Sequence, residues 1–225
     1  MCTQIRGVLF DLDDTLYDRG AAFDRWLDGY IRDHLQLTES SEVDSLKASI
    51  SKLDSGGYGS KKAVVEEVCR HYPGHSENTG RDLYEDFFEQ LTLDPAADQI
   101  MDVLSARSIP FGIVTNGGPR QWNKLAKMGL IERTAGVVVS ATFGCAKPEP
   151  AIFLAAARKL AVDPTSILFV GDHPINDIIG AQAVGMQTTW LHRGLPWPEQ
   201  CCSSPDFTID RLADLLPIVA AMPVN

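Results

Sequence analysis

Residues 8–16 read Val-Leu-Phe-Asp-Leu-Asp-Asp-Thr-Leu, and this stretch decides the fold class. A short apolar run that ends in carboxylates is typical of a buried strand that delivers its acids to the carboxyl edge of a sheet, where open α/β folds place their sites. Side chains alternate along a strand, so Asp11 and Asp13 are expected to begin on the same face. Two carboxylates that close repel each other and are costly to bury without a cation or a proton. The pair therefore indicates a metal site, an acid–base pair, or both.

Two structural interpretations of these acids compete with a functional one. A calcium-binding EF-hand loop that started at Asp11 would need glycine at its sixth position and glutamate at its twelfth. Those positions hold Leu16 and Ala22, which excludes that loop. The acids could instead cap a helix that begins near Thr15, since aspartate is a common capping residue. This segment alone leaves the capping interpretation open.

Composition narrows the class of protein. A chain of 225 residues is long enough for one core, or for one core and a small second domain. The formal net charge of −10 argues against nucleic acid or an anionic membrane as partner. The first strand follows the N-terminus directly, which leaves no room for a signal peptide, and no apolar stretch reaches transmembrane length. The five cysteines form no metal-ligand pattern, so we expect a cytoplasmic protein.

The second half of the chain alternates strand and helix patterns. Continuous apolar strands separated by helices predict an α/β fold with a Rossmann-like parallel sheet, covered by helices on both faces. The helix after the fourth strand is expected to be capped near Asn176 and to end at Gly185. The strands expected after the first lie at residues 111–115, 137–140, 167–171 and 187–191.

The segment from residue 17 to residue 92 differs, because it shows helical patches and no convincing buried strand. We therefore expect a core domain made of residues 1–16 and 93–225. Residues 17–92 are expected to form an α-helical bundle inserted after the first strand, over the carboxyl edge of the sheet.

Polar residues also follow the other predicted strands at their carboxyl ends. Residues 115–118, Thr-Asn-Gly-Gly, offer a hydroxyl and backbone N–H groups at a helix N-terminus, which suits an anion. Lys147 supplies a positive charge after the third strand, and Asp172 and Asp177 supply two acids after the fourth. Each residue alone is an ordinary turn, loop or cap residue. Their shared position at one end of their strands favours a common site.

The charges of these residues are consistent with phosphoryl chemistry. Asp11, Asp13, Asp172 and Asp177 together outweigh the charge of Lys147 and one divalent cation. Asp13 is therefore expected to carry a proton when substrate is bound, as a general acid requires. Ligands that are all oxygen favour magnesium over zinc.

With these motifs in order, the chain resembles the haloacid dehalogenase superfamily. Residues 11–15, Asp-Leu-Asp-Asp-Thr, resemble its first motif, and residues 115–117, Thr-Asn-Gly, its second. Residues 147–148, Lys-Pro, resemble the third, and residues 171–177, Gly-Asp-His-Pro-Ile-Asn-Asp, the fourth. The inserted helical segment is similar to the small α-helical cap of one subfamily. The motif variants look most like its phosphatases, which act on small phosphorylated metabolites.

The resemblance implies roles for the acids. Asp11 would attack phosphorus and form an aspartyl-phosphate intermediate. Asp13 would protonate the leaving oxygen and then deprotonate the hydrolytic water. Magnesium would be held by the Asp11 carboxylate, the Asp13 backbone carbonyl and Asp172. Asp177 would either bind the ion directly or contact one of the groups that bind it.

The resemblance also implies a phosphoryl-binding set. Thr115, Asn116 and Lys147 would bind the transferring oxygens and offset their charge, and Gly117 completes the motif that holds them. His173 is expected to be a neighbour of the site and not a catalyst.

Three alternatives to a phosphatase remain. A phosphomutase shares this machinery and differs through its cap. A dehalogenase attacks carbon with the first aspartate and needs no second acid for its halide, so the presence of Asp13 favours phosphate. A phospho-accepting or binding module has a similar acidic site, but such modules lack a helical insertion after the first strand.

Substrate identity and oligomeric state, monomer or homodimer, do not follow from the sequence. Tyr58 and Lys61 lie beside a glycine-rich stretch of the helical segment, and we expect them to contact the leaving group of the substrate. Arg120, Lys124 and Lys127 share one helical face, which a solvated surface explains better than a binding patch.

Overall fold

The chain divides into two compact units. The computed structural model describes residues 4–35, 39–57, 59–71 and 87–223. One unit combines Met1–Asp18 with Leu93–Asn225 and contains the sheet. The other unit is Arg19–Thr92, and its described elements are helices and turns.

The first unit is built on a six-stranded sheet in which all paired strands are parallel. The strand order is β3-β2-β1-β4-β5-β6, so the direction of chain progression reverses at β1. The predicted α/β class with a parallel sheet is confirmed. A sixth strand adds to the five that the sequence predicts. The strands are β1 (Gly7–Phe10), β2 (Phe111–Thr115), β3 (Gly136–Val139), β4 (Ile167–Gly171), β5 (Gln187–Leu191) and β6 (Phe207–Ile209).

The register of the central strands aligns their carboxyl ends. Phe10, the last residue of β1, pairs with Ile113 of β2 on one side and with Val170 of β4 on the other. Every residue of these three strands is buried, which is why their sequences are continuous apolar runs. Residues that follow β1, β2 and β4 therefore start from one edge of the sheet, at the point where chain order reverses.

The helical unit contains three long described helices and a buried ion pair. The guanidinium of Arg19 binds both carboxylate oxygens of Asp54 at 2.8 Å, and it lies over the rings of Phe23 and Phe87. Gly57 donates its N–H to the same carboxylate, and a Cβ at Gly57 would lie 2.7 Å from the Arg19 side chain. The helices are α1 (Arg19–Tyr30), continued by a π-helical turn (Ile31–Leu35), α2 (Ser40–Asp54), continued by a 3-10 turn (Ser55–Gly57), and α3 (Lys61–His71).

Helices flank the sheet of the first unit. Helix α8 (Pro150–Leu160) packs on β2 and β3, and the ring of Phe153 meets that of Phe169 at 5.1 Å. None of the helices in the described parts of the chain is both long and apolar enough to cross a membrane. The other helices are α4 (Pro95–Ala106), α5 (Arg120–Lys127), α6 (Leu130–Arg133), α7 (Ser140–Phe143), α9 (Gly180–Gln182) and α10 (Leu216–Ala220), with 3-10 turns at Pro164–Ser166 and Leu212–Leu215.

The helix after β4 begins differently from the prediction. A π-helical segment, Pro174–Ile179, precedes α9, and its N-terminal cap is His173. The Nδ1 atom of His173 accepts hydrogen bonds from the N–H groups of Ile175 at 3.2 Å and Asn176 at 3.1 Å. The expected cap at Asn176 is therefore wrong, because an imidazole nitrogen performs the role that aspartate, asparagine or serine usually takes.

Candidate active site

A buried lysine joins two of the predicted acids at the carboxyl edge of the sheet. Lys147 Nζ lies 2.5 Å from Asp11 Oδ1 and 2.7 Å from Asp177 Oδ1. All three side chains are buried. The N–H of Asp11 donates to the carbonyl of Val170 at 2.9 Å, so the first acid continues the pairing of β1 with β4. Residues that are 136 and 30 positions apart in the chain thus form one ionic cluster.

Asp172 completes a group of three carboxylates. Asp11, Asp172 and Asp177 each offer an oxygen, and these oxygens all lie within 4.8 Å of one another. The loop that carries the last two acids is tightly fixed: Asp177 Oδ2 accepts the N–H of His173 at 2.9 Å, and Trp190 Nε1 donates to the Asp172 carbonyl at 2.7 Å. Gly171 has to be glycine, because a Cβ there would lie 2.4 Å from an oxygen of Asp177.

Burial and mutual repulsion dominate the electrostatics of this carboxylate group. Burial, together with the charges of Asp177 and Asp11, raises the pKa of Asp172 to about 9. Burial also raises the pKa of Asp11 to about 7, although Lys147 acts in the opposite direction. The pKa of Lys147 is raised because its two carboxylates outweigh the effect of its burial. Three carboxylates around one ammonium fit a hard divalent cation, which prefers oxygen ligands.

Asp13 is held in a separate set of contacts. Strand β1 ends at Phe10, and the side chain of Asp13 accepts from the hydroxyl of Tyr17, from Lys124 Nζ and from Gln121 Nε2, the last at 2.5 Å. Its partial burial raises the pKa of Asp13, but Lys124 and the hydrogen bonds outweigh this effect and leave the pKa below its ordinary value. In the protein without substrate, Asp13 is therefore an ionised carboxylate.

Lys124 corrects one expectation from the sequence and adds a positive charge to the site. Lys124 is buried and paired with Asp13, so the solvated-face interpretation is wrong for this residue, whereas Lys127 on the same helix is exposed. Lys124 is thus a second lysine, beside Lys147, that is paired with an acid of the site. A signal was present in the sequence, because Gln121 and Lys124 lie one helical turn apart, beside the apolar Leu125.

The Thr-Asn-Gly residues connect the two sets of contacts. Thr115 is fully buried, and its hydroxyl accepts from Gln121 Nε2 at 2.7 Å. The side-chain amide of Asn116 donates to the carbonyl of Lys147 at 2.9 Å and accepts from its N–H at 2.8 Å. Asn116 therefore fixes the backbone from which Lys147 reaches Asp11.

The sequence also predicts Gly117, Lys61 and Tyr58 as substrate contacts. The N–H of Gly117 donates to the hydroxyl of Ser140 at 2.9 Å, so a phosphate would have to displace that contact to use this donor. Lys61 begins α3 in the helical unit and its side chain is exposed. Tyr58 lies outside the described residues.

Comparison with known proteins identifies the family. A sequence model of the haloacid dehalogenase-like hydrolases matches residues 5–185. The chain belongs to the haloacid dehalogenase-like hydrolases. This confirms the resemblance drawn from the four motifs.

Relatives of this hydrolase carry the names of phosphatases. It is 32% identical to a glyceraldehyde 3-phosphate phosphatase of Methanopyrus kandleri over 96% of this chain and 97% of that one. It is 29% identical to a phosphoglycolate phosphatase of Yersinia pseudotuberculosis over 96% of this chain and 93% of that one. Among solved structures, a HAD phosphatase from Thermococcus onnurineus is similar in fold, with a TM-score of 0.67 at 23% identity over 98% and 100% of the two chains.

Proposed function

We propose that this hydrolase is a magnesium-dependent phosphatase that cleaves a small phosphorylated metabolite through an aspartyl-phosphate intermediate on Asp11. The observation that carries the proposal is the meeting of Asp11, Asp172, Asp177 and Lys147 at the sheet edge, with a fourth acid, Asp13, held beside Thr115. A nucleophilic carboxylate, a charge-balancing lysine and a separate proton carrier are the groups that phosphoryl transfer to water requires.

The first step uses Asp11 and Asp13. A carboxylate oxygen of Asp11 attacks phosphorus, a new P–O bond forms, and the bond to the leaving oxygen breaks. Asp13 takes up a proton from solvent as the negative phosphate arrives and raises its pKa, and it gives that proton to the leaving oxygen. The product alcohol departs, and the phosphoryl group stays on Asp11.

The second step regenerates the enzyme. Asp13, again a carboxylate, removes a proton from a water molecule that attacks the same phosphorus, and the bond to Asp11 breaks to release inorganic phosphate. Asp13 then returns this proton to solvent, which restores the ionised carboxylate. Lys147 keeps its proton throughout, because the neighbouring carboxylates raise its pKa, and it offsets the charge on the transferring oxygens together with Thr115.

The residues present fit a magnesium ion. Asp11, Asp172 and the Asp13 backbone carbonyl would hold it, with Asp177 in the same carboxylate group. When bound, the ion supplies the positive charge that the three carboxylates lack and neutralises charge on the phosphoryl oxygens.

The substrate is a short phosphomonoester. The named relatives that support this choice are phosphatases of glyceraldehyde 3-phosphate and of phosphoglycolate. We assign the unit Arg19–Thr92 the role of a cap that closes over such a substrate and excludes water, with Lys61 and Tyr58 as contacts of its leaving group.

A phosphomutase and a dehalogenase are the enzymatic rivals. The three donors on Asp13 favour an enzyme that uses this acid, whereas expulsion of a halide requires no proton. A mutase would transfer the phosphoryl group back to its product, so a hydrolase and a mutase differ in the release of inorganic phosphate.

The test is phosphate release from a panel of phosphorylated metabolites, with and without magnesium. The wild type is compared with Asp11→Asn and with Glu149→Gln, a control that removes an exposed acid near Lys147. We expect release that requires magnesium, is lost in Asp11→Asn and is unchanged in Glu149→Gln. Turnover only with a bisphosphate activator would favour the mutase, and halide release from haloacids would favour the dehalogenase.

A further inference from the structure

Asp13 lacks the support that a strand gives to Asp11. Strand β1 ends at Phe10, Asp13 and Tyr17 form an isolated bridge, and residues 14–16 form a turn in which Asp14 has a φ of 59°. One isolated bridge, and not a ladder of backbone hydrogen bonds, therefore supports the backbone at Asp13. A proton carrier has to lie within hydrogen-bond distance of the atom it serves, so a residue in such a turn needs external contacts to hold it.

Helix α5 supplies two of these contacts from one face. Gln121 and Lys124 lie three residues apart, about one turn of the helix, and both are buried. Gln121 Nε2 donates to Asp13 Oδ2, and Lys124 Nζ pairs with Asp13 Oδ1. Each carboxylate oxygen thus has its own partner on the helix, which fixes the rotation of the carboxylate as well as its position.

Gln121 also links Asp13 to the phosphoryl-binding residue Thr115. The same nitrogen lies 2.5 Å from Asp13 Oδ2, 2.7 Å from the Thr115 hydroxyl and 3.1 Å from the Asn116 carbonyl. The acid and the hydroxyl are therefore held on one amide. A shift of Asp13 away from Thr115 would break this contact.

We propose that Gln121 and Lys124 are positioning residues for Asp13, which hold its carboxylate beside Thr115 where it exchanges a proton with the leaving oxygen. This role rests on the proposed phosphatase reaction and adds two residues to it. Lys124 contacts Asp13 and acts through it, while Lys147 is the lysine that offsets phosphoryl charge.

Two substrates with different leaving groups distinguish a positioning role of Gln121 and Lys124 from a purely structural one. An alkyl phosphate needs a proton on its leaving oxygen, whereas p-nitrophenyl phosphate has a stable phenolate leaving group that needs little help. We expect Lys124→Met and Gln121→Leu to lower kcat for the alkyl phosphate by about ten- to a hundredfold, since small displacements of a reacting group have effects of this size. On p-nitrophenyl phosphate, the rate of nitrophenol release in a single turnover, which precedes the water attack that also uses Asp13, should change by less than about threefold. Lys124→Arg should restore most of the alkyl activity.

Two controls accompany the variants. Lys127→Met removes an exposed lysine from the same helix and should leave both activities unchanged. Inhibition by inorganic phosphate should be the same in Lys124→Met as in the wild type, because the phosphoryl-binding residues are intact. In an Asp13→Asn background, Lys124→Met should have no further effect on p-nitrophenyl phosphate turnover, because interacting residues are not additive.

Three outcomes of these assays would contradict the proposals. Equal losses on the two substrates, with weaker inhibition by inorganic phosphate, would mean that Lys124 binds the phosphoryl group and would overturn this role. Unchanged alkyl activity in both variants would overturn it as well. A wild type that releases no phosphate from any substrate would refute the proposed function itself, an outcome that the wild-type assay reveals before any variant is compared.

Discussion

Breaking the Arg19–Asp54 pair should destabilise the helical unit far more than breaking an exposed pair. The two side chains are only 6% and 5% exposed, and they share two hydrogen bonds of 2.8 Å. Asp54→Ala would leave the Arg19 guanidinium buried without its carboxylate and would remove the acceptor of the Gly57 N–H. Removal of one partner of a buried pair costs about 3–5 kcal/mol, so we expect a loss of unfolding free energy in that range.

The matched control lies in the same unit. Arg32 and Asp33 form a pair whose side chains are 73% and 56% exposed. Exposed pairs contribute about 0–1 kcal/mol, so Asp33→Ala should have little effect on stability. The double variant Arg19→Met with Asp54→Leu replaces both charges by apolar groups and should be more stable than Asp54→Ala, because no buried charge is left unpaired.

Urea denaturation followed by circular dichroism measures the free energies, and hydrogen exchange locates the loss. Protection should fall in the helix Lys61–His71 and remain unchanged in the strand Ile167–Gly171, which belongs to the other unit. A cost for Asp54→Ala below about 1 kcal/mol, equal to that of Asp33→Ala, would refute the argument that burial makes this pair important.

Three further predictions concern the site. Lys147→Met should lower kcat by about a hundredfold or more with a smaller change in KM, because it removes charge stabilisation of the transition state; a change in KM alone would contradict this. Lys61→Ala should raise KM for the best metabolite and leave KM for p-nitrophenyl phosphate unchanged, while the neighbouring Lys62→Ala should change neither value. Equal effects of Lys61→Ala on the two substrates would show that Lys61 does not contact the leaving group. Burial raises the pKa of Asp172 from 3.8 in the unfolded chain to about 9 in the folded protein. Between these two pH values the metal-free folded protein keeps a proton on Asp172 that the unfolded chain has lost, so the stability of the fold falls as pH rises. Magnesium replaces that proton, so the increase in Tm with magnesium should be larger at about pH 8 than at about pH 6 in a thermal-shift assay, and a constant increase would contradict the shift.

The sheet could be predicted because its strands are buried on both faces. Residues 111–115, 167–171 and 187–191 are apolar or β-branched runs between helical patterns, and the structure contains each of them as a strand with the same bounds. The strand Phe207–Ile209 was missed because it is three residues long, lies at the edge of the sheet and exposes two of its residues. Nothing in such a short, half-solvated segment separates it from a loop.

The site was predictable only where its residues follow strands. Parallel strands deliver their carboxyl ends to one edge, so the sequence placed Asp11 and Asp177 together without knowledge of any distance. Gln121 and Lys124 come from a helix. A polar side chain on a helix faces solvent far more often than it contacts a carboxylate of another element. His173 was missed as a cap because histidine is not a usual N-cap residue.

Lys124 also explains how a protein with a net charge of −10 can accept a phosphate. Within the described residues, the site contains four aspartates, and the two lysines Lys124 and Lys147 are each paired with at least one of them. With one divalent cation these charges balance, so the site is formally neutral before the substrate arrives. Without Lys124, the same residues and one divalent cation would carry a net negative charge before the substrate arrives. With Lys124 included, Asp13 stays ionised until the phosphate brings its own negative charge, and the proton that Asp13 then takes up is the one that the leaving oxygen needs.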